Sequence, residues 1–187
     1  MGHEGNVIQE LMADHREVEA LFEQIGRQTA DADARRALAD RLTMELVRHS
    51  VAEEQHLYPV VRRYVDDGDD LADKEIADHS EVERMLKELE DCQPADARFD
   101  LLINQLKSSV TAHVRDEEDR LFPLLAEACP AESLNELGDK VRAAKKTAPT
   151  RPHPAAPDTP PLNKLLAPGA GMVDRVRDML TGRGRQS

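Results

Sequence analysis

The fold is decided by a short stretch, His49–Pro59 (HSVAEEQHLYP), which recurs 64 residues later as His113–Pro123 (HVRDEEDRLFP). A second stretch shows the same offset, because Asp14–Glu19 (DHREVE) recurs as Asp78–Glu83 (DHSEVE). A common offset in both pairs indicates that the chain contains two copies of one structural unit.

Apolar residues recur with the period of an amphipathic helix on both sides of each motif. This periodicity predicts four long helices, at about residues 6–26, 33–65, 70–91 and 97–128. Because the connections between them are short, consecutive helices should lie antiparallel. The predicted fold is therefore all-α, an up-down-up-down four-helix bundle made of two repeated helical hairpins. A short fifth helix, at about residues 132–144, is expected to cover one side of the bundle.

Composition supports this fold and limits the possible partners. The chain has no Trp, two Tyr and three Phe, so its core must be mainly aliphatic, which favours helices. Its net charge of −12 argues against a nucleic-acid-binding protein. No apolar run is long enough for a transmembrane helix or the core of a signal peptide. Because Cys92 and Cys129 do not suggest a disulfide framework, we expect a reducing compartment and a cytoplasmic location.

The composition changes after the fifth helix. Residues 146–170 are rich in proline, which is typical of a semi-extended linker. Residues 171–187 combine apolar residues at helical spacing with several arginines, which predicts a short basic amphipathic tail segment. The bundle itself is expected to span residues 1–145. The tail could dock on the acidic bundle, on a protein partner or on a membrane surface.

Polar residues occupy helix positions where the core of the bundle should be apolar. There is one His on each of the four helices, and on the second and fourth helices a Glu follows the His by one turn. These residues are His15, His49, Glu53, His79, His113 and Glu117. Burying a carboxylate costs on the order of several kcal/mol unless a cation or a polar network compensates, so this pattern favours a metal site. Imidazole and carboxylate ligands without thiolates suit iron or manganese better than a structural zinc.

In order, spacing and flanking residues, both halves resemble the hemerythrin-like, HHE cation-binding family. The match covers about residues 6–128, and in each half the HxxxE motif runs into Leu-aromatic-Pro. The resemblance implies a left-handed four-helix bundle that holds a non-haem di-iron centre, two iron ions with an oxo or hydroxo bridge. It also implies that the four histidines are terminal ligands and that Glu53 and Glu117 bridge the irons.

The ligand set departs from that of the oxygen-carrying hemerythrins. Those carriers use five histidines, whereas four are found here, so both metals should keep room for a small molecule. Tyr58 and His56 are candidates for an additional ligand or for the pocket wall. In an ideal helix Tyr58 points nearly opposite His49, but Pro59 should distort this turn. His56 has Arg120 as its counterpart in the second copy, and the two could instead form a polar cluster beside the site.

Other polar residues could surround the ligands. Glu19 and Glu83 stand four residues after a His and could orient imidazoles by accepting their N–H groups, although they also remain rival ligands. Glu54 and Glu118 are expected at the surface or around the ligands. Asp14 and Asp78 could accept imidazole N–H groups or simply be solvated.

Two functions of different kinds fit this pattern. In the first, the di-iron protein reacts with a small oxidant (O₂, peroxide or nitric oxide) in an oxidative stress response, as a peroxidase or a catalase-like protein. The sequence identifies no catalytic residue and leaves open whether the chain is an enzyme. In the second, the bundle binds or senses O₂ or iron and signals through its tail. Iron storage fits poorly, because a two-metal site on a small bundle offers no mineral cavity.

Overall fold

The computed structural model describes residues 5–156, 169–174 and 177–178. Within these residues the regular structure is entirely helical, without a strand. Along the chain the elements are α1 (Val7–Arg27), α2 (Ala32–Ala52), a first π-helical turn (Glu53–Leu57), α3 (Tyr58–Tyr64), α4 (Gly68–Asp91), α5 (Ala97–Asp116), a second π-helical turn (Glu117–Leu121), α6 (Phe122–Ala128) and α7 (Ala131–Thr147). Residues 169–174 and 177–178 are also helical.

Four long helices make up the bundle, as predicted. α2 continues into α3 through the first π-helical turn, and α5 continues into α6 through the second. With α1 and α4 they form two consecutive helical hairpins, so the predicted all-α bundle is confirmed. The predicted fifth helix is α7, which packs against α1 and α2. At Gly138 an added Cβ would lie 2.9 Å from the carbonyl oxygen of Gly5, so α7 approaches the start of α1 closely.

Local sequence explains where the helices begin. The Asn6 side chain accepts a backbone N–H in a capping box at the start of α1, and the Asp31 side chain accepts two backbone N–H groups at the start of α2. Between the two hairpins, Asp67 adopts a left-handed conformation with φ of 55°. The next residue must be Gly68, because an added Cβ would lie 2.4 Å from the carbonyl oxygen of Val61.

Each π-helical turn ends at the Leu of a Leu-aromatic-Pro sequence. Pro59 has no N–H to donate one turn back, and its ring clashes with the carbonyl group there. The helix therefore widens, and the N–H of Tyr58 bonds to the carbonyl oxygen of Glu53, five residues earlier. The second turn repeats this arrangement before Pro123. One extra residue in a turn rotates the following side chains by about 100°, which matters for the site.

The core consists of two apolar clusters with a polar layer between them. The first cluster lies around Leu57, Tyr58 and Leu121 and extends under α7. The second lies around Phe22 and Phe99 in the other half of the bundle. The side chains between the two clusters include the four histidines singled out from the sequence.

The beginning of the predicted linker is packed on the bundle. Residues 148–150 are buried, and the Thr150 hydroxyl donates a hydrogen bond of 2.6 Å to Asp178. The Arg151 guanidinium bridges Glu90 of α4, at 3.2 Å, and Asp178, at 2.7 Å. The described part of the tail thus contacts the beginning of the linker, and the linker is in turn held on α4 through Glu90. The rest of the predicted linker and tail (157–168, 175–176 and 179–187) lies outside the described residues.

No helix among the described residues has the length and apolar character needed to cross a membrane. Cys92 and Cys129 are both buried free thiols.

Candidate metal centre

Four imidazoles meet in the layer between the two apolar clusters, one from each long helix. They form two pairs, because the ring centroids of His15 and His49 are 5.0 Å apart and those of His79 and His113 are 4.8 Å apart. All four residues are buried, between 4% and 6% exposed. Their Nε2 atoms point to the centre of the layer, where those of His79 and His113 are 3.2 Å apart.

Two fully buried carboxylates complete the centre, and each faces both imidazole pairs. Glu53 Oε2 lies 3.1 Å from the Nε2 of His49 and 3.3 Å from that of His79. Glu117 Oε2 lies 3.3 Å from the Nε2 of His15 and 3.5 Å from that of His113. Neither carboxylate has any exposed surface.

Several of these buried atoms have no hydrogen-bond partner. They are His15 Nε2, Glu53 Oε1 and Glu117 Oε2. A buried polar atom without a partner is costly, so a cluster of such atoms in one place is typical of a site that binds a cation. In two groups of these residues, each member can offer one ligand atom within 4.8 Å of the others. One group is His15, His49, Glu53 and Glu117, and the other is Glu53, His79 and His113. Glu53 therefore belongs to both sets, and the residues present fit a pair of cations.

The outer nitrogen of every imidazole lies within 3.2 Å of a carboxylate oxygen. The Nδ1 of His15 contacts Glu118 at 2.8 Å and that of His49 contacts Asp14 at 3.2 Å. The Nδ1 of His79 contacts Glu54 at 3.1 Å and that of His113 contacts Glu75 at 2.7 Å. A carboxylate on Nδ1 fixes the ring and leaves Nε2 free to bind a metal, as is usual around metal-bound histidines.

Cations at the surface hold three of these four outer carboxylates. Arg16 pairs with Glu118, and Lys145 of α7 pairs with Asp14. Lys74 Nζ lies 3.2 Å from Glu75. α7 is therefore linked to the centre, because its Lys145 pairs with Asp14 and Asp14 contacts the Nδ1 of His49.

The facing charges shift the pKa values within the layer. Burial alone would lower the pKa of the imidazoles, but the surrounding carboxylates outweigh it and raise the pKa of His49 and His79 to about 10 and that of His113 to about 9. Burial would raise the pKa of Glu53, yet the imidazoles hold it well below its usual range. A metal binds the unprotonated Nε2 atom of an imidazole, so a bound cation would compete with protons for these four rings.

Tyr58 reaches the centre, which an ideal helix would not allow. Its hydroxyl lies 3.2 Å from His79 Nε2, 3.2 Å from Glu117 Oε1 and 3.5 Å from Glu53 Oε2, and the residue is fully buried. The π-helical turn rotates Tyr58 toward the layer, so the predicted distortion before Pro59 is confirmed. Burial raises the pKa of the Tyr58 hydroxyl well above its usual range, and the nearby carboxylates add to this.

The equivalent residue in the second copy, Phe122, has no hydroxyl. Its ring stacks on that of His15 with 5.9 Å between centroids and 6° between planes. The two copies therefore place equivalent aromatic rings against equivalent imidazoles, but only the first copy adds an oxygen atom.

Four residues expected near the ligands lie elsewhere. Glu19 is exposed and pairs with Arg16, and Glu83 accepts the backbone N–H of His153. Arg120 is exposed and pairs with Asp116. His56 is half-buried and belongs to none of the groups of converging ligand atoms in the described chain. The Nδ1 atoms of His15 and His79 instead contact Glu118 and Glu54, which come from other helices.

Sequence reasoning missed Glu75. It is fully buried in α4, and its counterpart 64 residues earlier is Leu11, so the repeat itself gave no hint. It takes the place beside His113 that the repeat assigns to Asp78, whose nearest oxygen is 3.9 Å from Nδ1. The available signal was a carboxylate one turn before His79 on an otherwise apolar stripe. Burial raises the pKa of Glu75 from its usual value, against the lowering effect of His113.

A small apolar cavity of about 20 Å³ adjoins the layer on the side of the second apolar cluster. The four imidazoles form one wall of this cavity. Its remaining lining residues are Val18, Leu46, Ser50, Val82, Val110 and Val114. A cavity of this volume has room for a water molecule or another molecule of a few atoms.

A duplicated helical hairpin with a buried His/Glu cluster between its two halves defines a cation-binding helical-bundle protein. The chain belongs to the hemerythrin HHE cation binding domain family, whose model matches residues 6–125.

Known proteins agree with this assignment. An uncharacterized hemerythrin-like protein of Schizosaccharomyces pombe is 28% identical over 171 residues, which is 91% of this chain and 84% of the relative. A DNA nickase of Nostoc is 30% identical over 142 residues, but these cover 75% of this chain and only 39% of the relative. The crystal structure of a hemerythrin HHE cation binding domain-containing protein from Mycobacterium kansasii superimposes with a TM-score of 0.66 at 25% identity, covering 75% of this chain and 85% of that one.

Proposed function

We propose that this chain is a non-haem di-iron protein that reacts with a small oxidant, most directly peroxide. His15 and His49 would bind one iron, and His79 and His113 the other. Glu53 and Glu117 would bridge the two ions. The observation that carries this assignment is that each carboxylate faces one imidazole from each pair, with oxygen-to-nitrogen distances of 3.1–3.5 Å.

The choice of iron rests on the donor set. The converging atoms are imidazole nitrogens and carboxylate oxygens, to which Tyr58 would add a phenolic oxygen. Such a set suits iron or manganese, and a phenolate is a hard donor that favours the ferric ion. Tyr58 would serve one iron only, because Phe122 occupies the equivalent place in the second copy.

The surroundings of the centre favour a small oxidant over a larger substrate. A pair of iron ions supplies the two-electron redox chemistry that converts peroxide to water and dioxygen. On one side Tyr58 and the first apolar cluster close the layer. On the other side the half-enclosed cavity of about 20 Å³ leaves room only for a molecule of a few atoms.

DNA cleavage, which the name of the Nostoc relative mentions, is not part of this proposal. This chain spans 39% of that relative. Its net charge of −12 would also repel a phosphate backbone.

Metal analysis with a matched pair of histidine variants tests the proposal. After anaerobic loading with Fe(II), the protein should hold two irons per chain and consume peroxide faster than the same concentration of free iron. His49→Gln should lose iron and activity, because His49 is a proposed ligand. His56→Gln, on the same helix but outside the ligand cluster, should keep both. One zinc per chain, or peroxide consumption no faster than that of free iron, would refute the proposal.

A second function, sensing, is favoured by one specific contact. α4 carries His79 and also binds the beginning of the linker, through Glu83 to the backbone N–H of His153 at 2.7 Å and through Glu90 to Arg151 at 3.2 Å. Binding of iron by His79 could therefore change how tightly residues 151–153 of the linker are held on α4. If so, hydrogen exchange at residues 150–153 should change when iron is added. Equal exchange rates with and without iron would refute the sensing function, and the reaction with an oxidant would remain as the proposed function.

A further inference from the structure

The residues that line the cavity beside the metal layer follow the 64-residue repeat of the sequence. The ten lining residues are five pairs that are each 64 residues apart: His15 and His79, Val18 and Val82, Leu46 and Val110, His49 and His113, and Ser50 and Val114. Four of these pairs are chemically equivalent. In the fifth pair, a hydroxyl in the first copy replaces a methyl group in the second.

Ser50 lines this cavity and carries a hydroxyl group. In helices, Ser and Thr side chains often donate to the carbonyl oxygen one turn back. Thr43, on the same helix, donates to Ala39 at 2.9 Å, and Ser80 donates to Ile76 at 3.1 Å. The half-buried Ser50 makes no such bond to any residue in the described chain.

The position of Ser50 also relates it to the metal layer. It follows His49 directly and lines the cavity together with the four imidazoles, whereas the rest of the lining is aliphatic. Besides the imidazoles, Ser50 carries the one polar side chain among the ten lining residues. A hydroxyl in a half-enclosed wall makes a stronger hydrogen bond than the same group in water, because the local dielectric constant is low. Such a group acts on ligands that carry an acceptor atom and not on apolar ones.

We propose that Ser50 is a binding and specificity residue, whose hydroxyl donates a hydrogen bond to a small anionic or polar ligand held in the cavity against the metal layer. The ligand class comprises peroxide and small anions such as azide. The site would therefore prefer these ligands over apolar gases of similar size. This inference rests on the proposed function, because it assumes that a small molecule enters this cavity.

Azide binding to the iron-loaded protein tests this role without relying on turnover. Ser50→Val copies the residue found in the second half, and Ser50→Thr keeps the hydroxyl on a comparably branched side chain. Following azide by its absorption band, we expect Ser50→Val to weaken binding about tenfold, since hydrogen bonds to charged groups are the stronger kind. Ser50→Thr should stay near the wild type. Val114→Ser, which adds a hydroxyl on the opposite wall, should tighten azide binding.

The same variants should separate binding from turnover of peroxide. Ser50→Val should raise the KM for peroxide by about the factor by which it weakens azide binding. The iron content, measured for each variant, should remain two per chain. Ser50→Ala gives the same comparison with a smaller side chain if valine disturbs packing.

The outcomes separate this inference from the proposed function. If the wild type holds iron and binds azide, but Ser50→Val and Ser50→Ala bind azide as tightly as the wild type, the role of Ser50 is refuted and the metal assignment stands. Equal losses in Ser50→Val and Ser50→Thr would also refute it, because the hydroxyl would then not matter. If the wild type itself takes up no iron, the proposed function fails and this inference fails with it.

Discussion

Glu118 should control the metal affinity of His15, although it lies on a different helix. Its Oε1 is 2.8 Å from the Nδ1 of His15, and its other oxygen pairs with Arg16. Removing this carboxylate should free the imidazole to rotate and lower its basicity as a ligand. We therefore expect Glu118→Ala and Glu118→Gln to weaken metal binding to different extents.

The magnitude follows from the type of hydrogen bond and its exposure. A hydrogen bond to a charged group contributes about 1.5–3 kcal/mol. Because the Glu118 side chain is 17% exposed, water screens it in part, so we use the lower half of that range. Glu118→Ala should then cost about 1.5–2.2 kcal/mol, which weakens metal binding by about 12- to 40-fold. Glu118→Gln keeps a neutral acceptor that is about half as strong, so it should cost about 1 kcal/mol, or roughly fivefold.

Competition with a chromophoric chelator under anaerobic conditions measures these affinities directly. The matched control is Glu19→Gln, which removes the same charge one turn after His15 on α1 and also contacts Arg16, but does not reach the imidazole. The control should bind metal as the wild type does. If Glu19→Gln weakens binding as much as Glu118→Gln, then general surface charge controls affinity and the proposed role of the His15–Glu118 contact is wrong.

Three other predictions test separate parts of the structure. Gly138→Ala should lower the free energy of unfolding by about 1–3 kcal/mol, measured in urea, because its Cβ would lie 2.9 Å from the Gly5 carbonyl oxygen; unchanged stability would contradict the close packing of α7 on α1. Tyr58→Phe should abolish the phenolate-to-iron absorption of the ferric protein, and a band that persists would exclude Tyr58 as a ligand. The hydrogen bond to Asp174 raises the pKa of His153 from its usual 6.5. The contact between the protonated ring and Asp174 should therefore stabilise the packing of the tail on the linker fully below pH 6.5, and this stabilisation should be lost as the pH rises through the raised pKa. NMR titration of the His153 ring should show this raised pKa, and Asp174→Asn should return it toward 6.5; a ring that titrates identically in both proteins would contradict the contact.

The helical hairpins and the positions of the four histidines could be predicted from the sequence. The common offset of 64 residues revealed the duplicated hairpin. The helical period then placed His15, His49, His79 and His113 on the inward faces, because residues three or four positions apart share one side of a helix. The distortion before Pro59 also followed from the sequence, since proline cannot donate the bond one turn back.

Asp14 was a candidate acceptor from the sequence and does contact His49, but which carboxylate pairs with which imidazole could not be predicted, because the partners come from other helices. Glu118 holds His15 and Glu54 holds His79, each across the boundary between the two copies. Spacing along one helix suggested Glu19 instead, which lies at the surface. Which carboxylate meets which imidazole depends on the relative rotation and translation of packed helices, and the periodicity of one helix contains no information about either.

The sequence by itself determined the number of helices, their order and the residue types that line the centre, because these depend on local periodicity and on the repeat. Only the tertiary structure decided the departures from symmetry. It placed Glu75 against His113 where the repeat offers Asp78. It also brought Tyr58 to the centre through the widened turn. Such contacts are set by the packing of several helices at once, since a rotation of about 100° at a π-helical turn changes which side chains meet.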